Sequence, residues 1–347
     1  MKRTKHRMHL NRKRVVTGLI SLAVFLAIIA SMVIADRQED RPEETKGSLE
    51  ERFAPTLIVE SEGKQYGYKD WQTKTVLIIG VDSYGLQSET STYRGGAQAD
   101  FLMLLSVDRE EKTVKSLHIE RDTITDIDVY GILGNPMGRR KTQLCLAQGF
   151  GNSIKTSTQN TVSAVSRLLN GIPVDYYIVF DTASVNALND LLGGVMVTLQ
   201  DDLTMLDPQL RNGATVTLQG NQAELFVRGR MNVADGTNAN RMRRQRTYID
   251  SAVEKAREYA SENPAYFENL IEGLEGFYYS NLSRSELVGL LNRISSYTME
   301  ETLLINGKYA IGKDGFREFY ADAESLNEKV LELCFQEIGV NAINVVP

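Results

Sequence analysis

The stretch Thr75-Val-Leu-Ile-Ile-Gly-Val-Asp82 decides the fold. It is an unbroken apolar run closing on glycine and aspartate, the pattern of a buried strand whose C-terminal end opens at a site. Asp100-Phe-Leu-Met-Leu-Leu-Ser-Val107 repeats the apolar run, the polar turn Asp108-Arg-Glu-Glu-Lys112 follows, and Thr113-Val-Lys-Ser-Leu-His-Ile119 alternates as a half-buried strand does. Together they predict a hairpin, so the sheet contains an antiparallel pair. Helical segments at 142–150 and 155–169 precede a buried strand, Asp175-Tyr-Tyr-Ile-Val-Phe180, and a helix near 182–192 stops at the pair Gly193-Gly194 before a strand over 195–199. A short helix over 221–227 and a long one over 238–260 come next, and residues 263–347 read as mainly helical with one candidate strand at 302–305. This alternation predicts an α/β fold, a three-layer αβα domain with a mixed central sheet.

Upstream, Lys2, Arg3, Lys5, Arg7, Arg12, Lys13 and Arg14 form a basic head over 1–14, and residues 15–35 are a run of 21 without a charge. As a helix that run spans a hydrocarbon core of about 30 Å, and the basic head holds the N-terminus in the cytoplasm. The expectation is a single-pass type II anchor with the rest of the chain outside. A cleaved signal peptide is disfavoured, because the run exceeds the usual apolar region and Ala30-Ser-Met32 is a poor cleavage site. Residues 36–72 are charged and read as a stalk, with a short strand possible at 56–59.

The formal net charge is −6, and the seven basic residues of the head leave −13 on the remainder. An acidic exterior domain does not suit a nucleic-acid partner. Two cysteines, Cys145 and Cys334, fall in apolar patterns without metal-binding spacing and are expected as buried free thiols, a bridge between them remaining open. His118 is the one histidine outside the head, so neither a Ser-His-Asp triad nor a histidine metal site has material to build on. Chemistry here rests on aspartate and arginine.

Arg228, Arg230, Arg241, Arg243, Arg244 and Arg246 fall within nineteen residues. Guanidinium groups bind phosphate bidentately and keep their charge when desolvated, so the cluster points to a phosphate or pyrophosphate site, or else to a solvated helix face. Asp82, Asp100 and the pair Arg121-Asp122 stand where strands begin or end, which is where open α/β sheets place ligands. Two aspartates meeting there suit Mg²⁺ bridged to phosphate oxygens.

The ordered motifs resemble the LytR-CpsA-Psr family of cell-wall ligases. They are Ile79-Gly-Val-Asp82-Ser, Ala99-Asp100-Phe-Leu-Met-Leu, Ile119-Glu-Arg121-Asp122-Thr, Lys141-Thr-Gln-Leu-Cys-Leu-Ala-Gln-Gly-Phe-Gly151, Gly171-Ile-Pro-Val-Asp-Tyr-Tyr177, Leu192-Gly-Gly-Val195, Leu218-Gln-Gly-Asn-Gln-Ala223, Val227-Arg-Gly-Arg230 and Arg241-Met-Arg-Arg-Gln245, spread over 74–260. The resemblance implies a catalytic domain of this type over 73–262. It also implies a Mg²⁺-dependent phosphotransferase acting outside a Gram-positive membrane. Such a protein moves a phosphoglycan, such as teichoic acid or capsule, from a polyprenyl-pyrophosphate carrier to a peptidoglycan hydroxyl. Asp82 and Asp100 match the metal-binding aspartates, and Arg121, Arg228 and Arg230 match the pyrophosphate-binding arginines. Arg241, Arg244 and Gln245 match further polar pocket residues, and Asp122 or Asp235 is the candidate base. The lipid tail calls for an apolar tunnel between sheet and helices, lined from strands such as 102–107 and 176–180.

Three positions depart from the family pattern. Tyr84 and Gln98-Ala99 replace residues that are often arginine or Arg-Ser, and Glu120 replaces the usual proline, while Arg94 is a candidate compensating cation. These departures motivate an alternative, a non-catalytic domain that binds or scaffolds polyprenyl-pyrophosphate glycans. A transcriptional regulator is disfavoured, since fourteen cytoplasmic residues hold no helix-turn-helix.

Overall fold

The computed structural model describes residues 57–83, 86, 97–131, 133–230, 233 and 236–338. The head, the 15–35 run, most of the stalk, Tyr84, Arg94 and Asp235 lie outside the described residues. Within them no helix is long and apolar enough to cross a membrane.

The chain runs through β1 (Ile58–Ser61), β2 (Lys64–Tyr68), β3 (Thr73–Val81), β4 (Ala99–Asp108), β5 (Thr113–His118), β6 (Ile124–Tyr130) and β7 (Pro136–Gln143). A 3₁₀ turn at Leu144–Gly149 leads to α1 (Ile154–Leu168), β8 (Tyr176–Phe180), α2 (Ala183–Leu191), β9 (Met196–Thr198), β10 (Thr215–Thr217), α3 (Gln222–Arg228) and α4 (Asn238–Glu262). Then follow α5 (Tyr266–Gly273), β11 (Tyr278–Ser280), α6 (Arg284–Ile294), β12 (Thr298–Met299), β13 (Leu303–Leu304), β14 (Gly307–Ile311), β15 (Arg317–Ala321), α7 (Ala323–Cys334) and β16 (Phe335–Ile338).

The central sheet has the order β11-β8-β3-β4-β5-β12, with β13 also pairing β5. β3 is parallel to β8 and antiparallel to β4, and the β4–β5 hairpin forms as expected, so the sheet is mixed. The unbroken apolar run of β3 is explained by its central place, with both faces covered. Leu77, Ile79 and Val81 pack on one side with Leu102, Leu104 and Leu117 against Val165 of α1 and Leu333 of α7. Val76 packs on the other with Val107, Val114 and Ile178 against Ile271 of α5 and Leu287 of α6. Fully burying such a side chain contributes about 1.5–3 kcal/mol, which fixes the register of the sheet.

Helix ends follow local chemistry. Ser153 and Thr156 close a capping box at the start of α1, and Asn170 at φ 57° with Gly171 at φ 83° ends the run beyond it. Thr237 caps α4 by accepting from Asn240 N.

Several segments differ from the sequence expectation. The 142–150 helix is the short 3₁₀ turn, preceded by the hairpin β6–β7, whose exposed second strand, Pro136-Met-Gly-Arg-Arg-Lys, carries no apolar alternation to announce it. The strand near 195–199 sits outside the central sheet, paired with β10. Residues 57–68 of the expected stalk form β1 and β2, and β16 closes them into a small sheet. The 263–338 region carries three helices and also six strands, of which β11, β12 and β13 join the central sheet. Those strands are two or three residues long, too short for any periodicity.

The Gly193-Gly194 stop separates two glycine requirements. Both residues have positive φ, but a Cβ on Gly194 would come within 2.4–2.8 Å of Gln219, Thr217 and Leu218, whereas Gly193 has nothing nearer than 3.6 Å. Chemical denaturation should therefore show Gly193→Ala costing about 1 kcal/mol for left-handed strain and Gly194→Ala about 3 kcal/mol or more.

Candidate functional site

The chain reaches one place from three directions. β3 ends beside Asp82, β4 begins with Ala99-Asp100, and β5 leads into Glu120-Arg121-Asp122. Helix α4 then lies across this end. Its residues Asn238, Arg241, Gln245, Tyr248 and Ala252 recur at helical spacing and are all buried, so the polar first turns of that face meet the strand ends while the later turns meet apolar side chains.

Asp100 is the meeting point. Arg121 Nη1 pairs with Asp100 Oδ1, and Arg241 Nη1 donates to Asp100 Oδ2 at 3.2 Å. Arg121 is held further by Asp122 Oδ1 at 3.2 Å, Gln98 Oε1 at 2.5 Å and the thiol of Cys145 at 3.1 Å. Gln98 also donates its backbone N–H to Asp82 Oδ1 at 2.6 Å, which ties the two aspartate-bearing strand ends together.

Arg241 is only 5% exposed, and its Nε and Nη2 have no hydrogen-bond partner. Burial first, then the nearby charges of Arg121 and Arg230, pushes its pKa down to about 10. Gln245 Oε1, Asn238 Oδ1 and Asp122 Oδ2 are also buried and unpartnered. Unsatisfied buried polar groups are costly, and guanidinium nitrogens crowded by like charge are satisfied best by an oxyanion. The site has the character of a receptor for a phosphate-type group.

Behind it lies a cavity of about 930 Å³ between the sheet and α4. Asp82, Asp100, Arg228 and Gln245 supply polar lining, and Ile78, Met103, Leu105, Phe180, Ile249 and Leu270 are among the apolar groups. The tunnel expected from the 102–107 and 176–180 strands is thus present, but the period of two decides its lining. Met103, Leu105 and Phe180 face it, while Leu102 and Leu104 turn into the opposite core. His118 lies close by, its ring tilted against Phe101 with centroids 4.8 Å apart, and its Nδ1 is 3.4 Å from Arg246 Nη1.

Arg228 lines the cavity and pairs with Glu224 at 2.8 Å, and Arg230 donates to Gly236 O at 3.2 Å. Arg244 is a correction to the sequence-based expectation. Its Nη1 pairs with buried Asp201 at 2.5 Å, its Nε donates to Phe226 O at 2.8 Å, and its Nη2 donates to Gly229 O, so all three nitrogens serve the protein. Arg243 shares Asp201. The local sequence Arg241-Met-Arg-Arg-Gln-Arg246 could not distinguish these roles, since Arg241 and Arg244 are neighbours on one helix face and only the acid each meets, Asp100 or Asp201, separates them. Asp235 lies outside the described residues. Cys145 and Cys334 are free and buried, and burial pushes the Cys145 thiol up to about 11.

Among the described residues no group of three or more His, Cys, Asp or Glu is arranged to hold a metal alone. Asp82 and Asp100 are two carboxylates at one strand-end pair, a donor set that suits Mg²⁺ when phosphate oxygens and water complete its shell. The sequence-based expectation did not single out Glu120 and Asn238 as partners. The only signal was a carboxyl residue closing an apolar strand.

A mixed α/β sheet thus carries a cluster of arginines and aspartates at its strand ends beside a largely apolar cavity. The chain belongs to the LytR_cpsA_psr family, whose model matches residues 34–330, further in both directions than the motifs over 74–260. It is 27% identical over 267 residues, 75% of each chain, to the polyisoprenyl-teichoic acid–peptidoglycan teichoic acid transferase TagT of Bacillus subtilis. It is 26% identical over 263 residues, 75% of this chain and 76% of the other, to the corresponding transferase TagU of Bacillus licheniformis. The solved structure of TagV of B. subtilis superposes with a TM-score of 0.58 at 22% identity, over 75% of this chain and 96% of that one. That of TagT bound to LIIa-WTA superposes at 0.57 and 23% identity, over 76% and 89%.

Arg241 and Arg244 separate on substitution. Arg244→Met leaves Asp201 buried with its main partner gone and should cost about 3 kcal/mol or more, whereas Arg241→Met removes an incompletely satisfied buried cation and should leave the denaturation midpoint unchanged or higher. His118 gives a pH test. Burial, then Arg246 and Arg241, lowers its pKa from 6.5 to about 3. Because the folded value is depressed, its contribution is fully present above 6.5 and is lost as pH falls through that window, at up to about 1.4 kcal/mol per pH unit. Denaturation curves of His118→Gln between pH 7 and 4 should lack that increment of slope.

Proposed function

We propose that this chain is a membrane-anchored, Mg²⁺-dependent phosphotransferase that attaches a cell-wall glycopolymer to peptidoglycan outside the cell. The observation that carries the proposal is the convergence of Arg121 and Arg241 on Asp100 at the polar end of an apolar cavity. The activities for which TagT and TagU are named support the same chemistry at the level of teichoic acid and peptidoglycan.

The donor is a polyprenyl-pyrophosphate glycan. Its lipid occupies the cavity, where burial of apolar chain provides binding at about 25 cal/mol per Å². Its pyrophosphate takes the unpartnered nitrogens of Arg241 together with Arg121, Arg228 and Arg230, while Gln245 lines the same end. Asp82 and Asp100 would hold Mg²⁺, which would supply further charge neutralisation when bound. The peptidoglycan hydroxyl attacks the glycan-side phosphorus, a new phosphodiester forms, the pyrophosphate P–O bond breaks and polyprenyl phosphate leaves. The hydroxyl proton passes to a carboxylate, for which Asp122 with its unpartnered Oδ2 is suited and Asp235 is the second candidate. Phosphoryl transfer depends on positioning and electrostatics more than on covalent help, and this arrangement supplies both. The 15–35 run serves as a type II anchor that keeps the domain at the membrane holding its donor.

The second reading, a non-catalytic glycan-lipid binder, draws on Gln98 and on the two arginines that occupy both oxygens of Asp100. One experiment separates the two. The full chain in vesicles is given a polyprenyl-pyrophosphate glycan and peptidoglycan oligomers, and transfer is followed by mass spectrometry. We expect transfer that stops on chelation, returns with Mg²⁺ and falls about 10²–10³-fold in Arg121→Ala. Binding without transfer would leave the scaffold reading.

A further inference from the structure

Glu120 is a carboxyl buried to 6% exposure with no ion pair among the described residues. Its Oε2 accepts from Tyr309 Oη at 2.7 Å, and its Oε1 accepts from Asn238 Nδ2 and, at 3.5 Å, from the Asp122 backbone N–H. Those donors belong to three segments that meet nowhere else in this way. Asn238 is the first residue of α4, one turn before Arg241; Asp122 and Arg121 follow Glu120 directly; Tyr309 lies on β14, 189 residues away.

The β14–β15 hairpin is itself fastened to that turn. Phe319 N donates to Asp122 O at 2.8 Å, Phe319 bridges Thr123 in parallel, and Gln143 Nε2 donates to Arg317 O at 3.3 Å. The Tyr309 ring packs on Phe319 at 5.0 Å, with the Arg317 guanidinium 5.7 Å above it. Tyr309, 43% exposed, thus approaches Glu120 with its ring tilted against Phe319 and its hydroxyl directed to the carboxyl.

We propose that Glu120 and Tyr309 are positioning residues for the reaction above, through which the C-terminal hairpin sets the spacing of Arg121 and Arg241. This rests on the pyrophosphate reading of the site. Arg121 and Arg241 take opposite oxygens of Asp100, so their separation depends on where the 120–122 turn stands relative to the start of α4, and Glu120 is the side chain bonded to both. Glu120 bonds to the two segments that carry Arg121 and Arg241, so its effect and that of Tyr309 on a bound pyrophosphate pass through those arginines. Burial raises the pKa of Glu120, while the hydrogen bonds from Tyr309 and Asn238 lower it, so these donors are what favour the carboxylate here. A two-cation clamp loses affinity steeply with small misplacement, which is why a residue outside the cavity can matter.

The test uses the full chain in detergent micelles, with binding of inorganic pyrophosphate measured by calorimetry beside glycan-transfer kinetics. Tyr309→Phe keeps the ring stack and removes the hydroxyl. It should weaken pyrophosphate binding and lower kcat about five- to tenfold, with the KM for peptidoglycan and the Tm near wild type. Glu120→Gln should lose at least as much, and Glu120→Gln combined with Asn238→Asp, which reverses donor and acceptor across the same contact, should recover most of it. A merely structural role would lower Tm without that rescue and would overturn the proposal. So would wild-type pyrophosphate affinity in both single variants. A wild-type chain that binds pyrophosphate but transfers no glycan would sink the transferase reading alone, because the affinity series still decides the positioning role.

Discussion

The structure turns on a crowding of positive charge at the ends of its central strands. Arg241 is buried beside Arg121 and near Arg230; Arg121 and Arg241 both pair with Asp100, and Asp122 and Glu120 add negative charge close by. Leaving guanidinium nitrogens dry and unbonded is expensive, and a fold keeps such an arrangement only where surrounding packing overdetermines it. Here the overdetermination comes from the central sheet, whose β3 and β4 ends are joined through Gln98 and Asp82, and from α4 clamped across them. The cost is offset when a polyanion arrives.

The same helix produces the cavity. Because α4 spends its first turns on polar contacts with the strand ends, its later turns are held away from the sheet face that carries Ile78, Met103 and Leu105. The resulting space is bounded by α5 and α6 residues rather than filled by them, and a volume of about 930 Å³ remains. A charged head site and an apolar chamber are thus two consequences of one packing decision. An amphiphile with a phosphate head satisfies both.

The C-terminal region completes rather than decorates the domain. Its strands extend the central sheet on both edges, α7 seals the core against Leu104 and Leu117, and β16 closes the small sheet that holds β1 and β2. The β14–β15 hairpin reaches back to the Arg121-Asp122 turn. Residues that looked like an appendage therefore bear on the site through backbone and side-chain contacts nearly two hundred residues long in sequence separation.

By itself the sequence determined the element types with strong local signatures and the chemistry of the site. The apolar run 75–82, the 100–119 hairpin and the 238–262 helix carry periodicity or runs long enough to be read, because burial of one or two faces imposes a pattern on consecutive residues. Aspartates at strand ends and clustered arginines were legible for the same reason: the residue types carry the charge whatever the fold. Only the tertiary structure decided which arginines meet at Asp100. Arg241 and Arg244 are three residues apart and neighbours on α4, yet one meets Asp100 and the other Asp201, acids that distant segments bring to the helix. Nor could local pattern reveal the β6–β7 hairpin, the two-residue strands β12 and β13, or the bond from Tyr309 to Glu120, since those depend on partners distant in sequence and on hydrogen bonds that leave no periodic trace. Sequence specifies what each residue can do; which residues act together is settled by burial and backbone pairing across the whole chain.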